Sequence, residues 1–152
     1  MSPPKRLSRL NRFVGLPGGM TADMALAQAD RNLEAHREVA LAGVDDALAA
    51  MTEALAAPDG GDASSQQEIY RLAYEIGAVA GLYDMVAMGL AAQSLCELID
   101  NGRARGVWDG VGAGVHLAAI RLLRRPAQNV GAAEAEVLKG LTRIVQRNGG
   151  AG

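Results

Sequence analysis

The chain has 152 residues, 49% of them hydrophobic and only 3% aromatic, with a formal net charge of −2. That length suffices for one domain with its own core, and a core so poor in aromatics must be built from Ala, Leu, Ile, Val and six Met. The lone cysteine, Cys96, excludes an internal disulfide, the absence of any apolar run near the length of a spanning helix excludes a membrane-crossing segment, and an acidic domain is no nucleic-acid footprint.

Alanine-rich segments with few runs of β-branched residues favour helix, because Ala loses no side-chain entropy there whereas Val, Ile and Thr suit strands. The expected fold class is therefore all-α. No basic start leads into a long apolar stretch that would direct export, so a cytoplasmic protein is expected.

Lys5, Arg6, Arg9 and Arg12 all precede the first acid, Asp23, and Leu7, Leu10, Phe13 and Val14 are interleaved with them at helical spacing. Such a segment can lie on an anionic membrane, but Pro3-Pro4 and Pro17-Gly18-Gly19 isolate it. Residues 1–20 are expected to be a flexible basic tail in solvent, without membrane contact by residues 5–14. Thr21 then caps a long helix whose first turn holds Asp23 and whose apolar positions are Leu26, Leu33, Ala40, Val44, Ala47, Met51 and Leu55, with a bend near Gly43. Pro58 to Asp62 reads as a turn, and Ser65-Gln66-Gln67-Glu68 as a capping box that opens the next helix.

That second helix turns Ile69, Leu72, Ile76, Val79 and Tyr83 inward. Arg71, Tyr74, Ala78 and Gly81, three, four and three residues apart, share the outward face. Asp84 is placed as the cap of a third helix with Met85, Met88, Ala92, Leu95 and Ile99 inward, ending at Asn101-Gly102. A fourth helix is marked by Val111, Val115, Ala119, Leu122 and Leu123 and stops before Pro126. The fifth runs from about Ala132 to Arg147 with Val137, Leu138, Leu141, Ile144 and Val145 inward, leaving 148–152 as a disordered tail. Short loops between such helices make residues 21–147 an up-and-down antiparallel four-helix bundle with one additional helix.

The stretch Ala73-Tyr74-Glu75-Ile76-Gly77-Ala78-Val79-Ala80-Gly81, with Ser94-Leu95-Cys96-Glu97-Leu98-Ile99 thirteen residues further on, resembles the central hairpin of the histidine-phosphotransfer (HPt) family, whose pattern is Ala-His-x-Ile/Leu-Lys-Gly-x-x-Gly. In that register Tyr74 stands where the family has its phosphate-accepting histidine, Gly77 where it has a lysine and Ala78 where it has a glycine. The likeness is most specific from Ile69 to Ile99 and extends more weakly over roughly Ala22 to Gln146, the whole looking similar to bacterial stand-alone HPt proteins.

In the family an exposed histidine relays phosphate between receiver-domain aspartates, nearby glycines admit the receiver, and the lysine adds positive charge. A tyrosine phenol is a poor nucleophile at neutral pH, and its aryl phosphate ester is too stable to return the phosphoryl group to a carboxylate. The resemblance thus implies a non-catalytic HPt-like module of two-component signalling, an adaptor rather than an enzyme. Its partner is a response-regulator receiver domain or a histidine kinase, and its docking residues are Arg71, Tyr74, Glu75, Gly77, Ala78 and Gly81.

Two other readings stand beside it. A phosphorelay protein could use a relocated histidine, but His36 lies in the charged run Glu34 to Glu38 and His116 reads as a bundle-edge residue. A self-associating bundle, a weak homodimer, could pack the small residues Ala78 and Gly81 on their own copy. Two histidines and one cysteine without Glu-x-x-His or Cys-x-x-Cys spacing offer no metal site. With no phosphate-binding glycine loop, no cofactor is expected either. Cys96, beside Leu95 and Ile99, reads as a small buried hydrophobe, so catalytic residues are absent from the expectation.

Overall fold

A computed structural model describes residues 21–125 and 131–149, so the expected basic tail, 1–20, lies outside the described residues. Within them there are five helices and no strand: α1 (Ala22–Ala56), α2 (Ala63–Leu82), α3 (Val86–Arg105), α4 (Gly110–Arg124) and α5 (Gly131–Gly149). The protein is all-α, and no described helix is long and apolar enough to cross a membrane.

The chain divides into two units, one ending at Val39 and one beginning at Ala40. In the first unit the hydroxyl of Thr21 accepts the Met24 N–H at 3.1 Å, the expected cap. Gln28 then links Asn32 and Arg31 along the helix surface. Leu26 and Leu33, two of the apolar positions read along this helix, are 64% and 63% exposed. Their spacing is helical, but among the described residues of their unit no packed element covers them.

The second unit holds the core. Val44, Leu48 and Met51 of α1 join Ile69, Leu72 and Ile76 of α2, Met88, Leu95 and Ile99 of α3, Leu117 and Ile120 of α4, and Leu141 and Val145 of α5. Helix α3 packs against α2, α4 and α5, which makes it the central element, and α4 also meets α5. Each aliphatic side chain buried there contributes about 1.5–3 kcal/mol. On the rim, Arg124 pairs with Asp45 at 2.7 Å and Arg121 donates to the Thr52 hydroxyl, tying α4 to the end of α1.

The helix ends correct several expectations. Asp62, not Ser65, caps α2: its carboxylate accepts the Ser65 N–H at 2.7 Å, and that bond holds the carboxyl below its ordinary pKa. Asp84 does not cap α3. It adopts the left-handed conformation, φ 57°, that ends α2, while the Met85 N–H reaches back to the Ala80 carbonyl at 2.8 Å, a Schellman closure. The third helix runs through Asn101-Gly102 and stops at Gly106, whose φ of 67° is the left-handed turn that glycine accommodates.

Helix α4 is rotated from its expected phase. Of the expected stripe Ala119 and Leu123 are buried, but Val111, Val115 and Leu122 are exposed, and Gly112, Ala113, His116, Leu117 and Ile120 are buried in their place. The small residues decide this: a Cβ on Gly112 would lie 3.0 Å from Ile144 Cγ2, so α4 presents its thin face to α5. His116 is thus wholly buried and not at the edge. Helix α5 continues two residues past Arg147, and the Asn148 amide donates to Asp109 at 2.6 Å and to the Ile144 carbonyl at 3.1 Å.

Candidate functional site

Helices α2 and α3 form a hairpin closed by the tight turn at Tyr83–Met85, and small residues let the two come together. A Cβ on Gly89 would lie 3.2 Å from the Ala80 Cβ, tighter than ordinary contact, and one on Gly77 would only just reach Ala92 at 4.0 Å. Side chains that fill so little leave a groove along the hairpin, about 690 Å³ in volume. Its α2 wall includes Tyr70, Tyr74, Gly77, Ala78 and Gly81, and its α3 wall includes Val86, Gly89, Leu90, Gln93, Cys96 and Glu97.

Four of the six expected docking residues, Tyr74, Gly77, Ala78 and Gly81, line this groove. Tyr74 is 70% exposed, standing on its edge beside a floor of small side chains. A Cβ at Gly81 would meet nothing within 4 Å, so the backbone there is open to an approaching surface. Arg71 and Glu75 share the exposed face but do not line the groove. Arg71 is held between Glu68 at 2.7 Å and Glu75 at 2.5 Å, which raises its own pKa, and the same bond holds the Glu68 carboxyl down. These ion pairs are half-exposed, so they order the helix surface more than they stabilise it.

The far end of the groove is polar and was not anticipated from sequence. Tyr70 points its hydroxyl at Asp100, 3.4 Å away, and the nearby Asp100 charge pushes the phenol pKa up. The Arg103 guanidinium lies 5.5 Å from the centre of the Tyr70 ring and donates to Gln67 at 3.0 Å. Cys96 is half-buried, its thiol 3.8 Å from the Tyr70 carbonyl, and burial raises its pKa to about 11. A thiol so protonated is no nucleophile at neutral pH.

Of the two histidines, His36 is exposed on α1. His116 donates from Nδ1 to the Gly112 carbonyl at 2.7 Å, which leaves Nε2 to accept the Ser94 hydroxyl at 2.9 Å. With both nitrogens engaged and no exposed surface, it has no free lone pair for a phosphoryl group. Among the described residues no three His, Cys, Asp or Glu side chains gather where they could hold a metal ion. What the groove offers chemically is a surface: an open backbone, a large amphipathic side chain and a carboxylate at one end. No family model matches this chain, and neither a curated protein nor a solved structure matches it.

Proposed function

We propose that the protein is a non-catalytic HPt-like signalling module that docks a response-regulator receiver domain, or a histidine kinase, at the α2–α3 hairpin without passing phosphate. In this reading the helices of the second unit form the up-and-down antiparallel four-helix bundle of that family, with one helix added. The observation that carries it is the exposed Tyr74 beside the small residues Gly77, Ala78 and Gly81, with the backbone open at Gly81. The position that the resemblance assigns to the phosphoacceptor faces solvent next to the small residues that would admit a partner. Its phenol cannot do the acceptor's chemistry, and the lysine that would assist is Gly77. Complete burial of His116, with both ring nitrogens bonded, weighs against a relocated acceptor there.

Binding without transfer makes the protein an adaptor, a competitor or a localisation factor for its partner. The test is capture from a cell lysate with the wild-type chain beside Tyr74→Arg, followed by identification of the bound proteins. A receiver-containing protein retained by the wild type and lost from the variant supports the reading. Capture that Tyr74→Arg leaves unchanged, or a captured set without receiver or kinase domains, contradicts it.

A further inference from the structure

The first unit poses a different question, because its helix covers no core of its own. Helices draw most of their stability from packing an apolar face rather than from propensity, yet all of residues 21–36 are exposed here. Leu26 and Leu33 lie seven residues apart, and Ala22, Ala29 and His36 alternate with them at four- and three-residue steps, the spacing of a seam that faces another helix. Over fourteen residues that seam is ~21 Å long.

We propose that residues 22–39 of α1 pair antiparallel with the same segment of a second copy of this chain. Charge selects that occupant and that direction. Asp23 and Arg37 lie fourteen residues apart along the same flank of the seam, so an antiparallel overlap centred near Asp30 sets each Asp23 beside Arg37 of the second copy, twice over by two-fold symmetry. The same overlap brings Leu26 beside Leu33 of the second copy, with the two Ala29 residues admitting close approach. A parallel pair forfeits this, because the opposite flank carries Ala25, Asn32 and Val39 and offers no charge to meet Asp23 or Arg37. The cost is one like-charge encounter, Asp30 with its symmetry mate, which makes the dimer a weak one.

Sedimentation equilibrium of the full chain, run from low micromolar to near-millimolar concentration, tests this. The weight-average mass is expected to rise from that of a 15.8 kDa monomer toward twice that value. Leu33→Lys should abolish the rise with helicity retained. Asp23→Arg and Arg37→Asp should each weaken association about tenfold, the double reversal should restore it, and Asp30→Asn should tighten it. A mass that stays monomeric throughout overturns the proposal. So does a dimer indifferent to Leu33→Lys and to both charge reversals, or one dissolved instead by Gly81→Arg. Receiver capture by the groove is untouched by these α1 variants, so the two proposals fail separately.

Discussion

His116 is the side chain whose setting is most narrowly defined. Its burial favours the neutral ring and lowers its pKa below the ordinary value. In the unfolded chain the same ring takes up a proton near pH ~6.5. Between that pH and the lower folded pKa, the unfolded state binds the extra proton, so the stability held by neutral His116 is complete above ~6.5 and is lost as the pH falls below it. Urea unfolding should show a lower midpoint at about pH 5 than at about pH 8, with unchanged slope. His116→Phe, which keeps the ring volume and removes the titration, should flatten that difference; an undiminished difference would place the titrating group elsewhere. Cys96 gives a second check at this scale. With its thiol raised to about 11, it should alkylate far more slowly in the native protein than in urea at neutral pH.

Among the helices, the turns and close approaches carry the sharpest expectations. Gly106→Ala forces a side chain into the left-handed region at φ 67° and should cost about 1 kcal/mol. Asp84→Gly, at φ 57°, should gain about 0.5–1 kcal/mol by relieving the same strain. Gly89→Val places methyl groups where even a Cβ sits 3.2 Å from Ala80, so overpacking between α2 and α3 should cost about 1–3 kcal/mol. Thermal melts rank the three variants.

The same elements show what the sequence reveals. Thr21, the stripe of α2 and the inward set of α5 were legible because their caps and apolar spacing are local. The phase of α4 was not, since hydropathy favours Val111 and Val115 while packing selects the thinner face of Gly112 and Ala113. Asp62 competed successfully with Ser65 for the α2 cap, and Gly102 looked like a helix end because a glycine signals one until its carbonyl is seen to close the turn through Val107. In the groove, the α2 wall was readable from its outward spacing. The α3 wall and the Tyr70–Asp100–Arg103 corner depend on residues some thirty positions apart, and no single-helix pattern encodes their meeting.

At the scale of the whole molecule, the proposed function pairs a docking face with the loss of an acceptor. If the α2–α3 groove is the interface, bulk at its open backbone should block a partner without disturbing the core behind it. Gly81→Arg and Ala78→Arg should each weaken binding of a captured receiver by at least ~2 kcal/mol, the scale of interface hot spots, with helicity unchanged by circular dichroism. The central claim, binding without transfer, is met most directly by incubating the chain with that receiver carrying labelled phosphate and measuring association and acid-labile label in the same sample. The account predicts a complex that Gly81→Arg dissolves and no label on this chain. Label that appears here and vanishes on His36→Ala or His116→Ala, or a complex indifferent to Gly81→Arg, would contradict it.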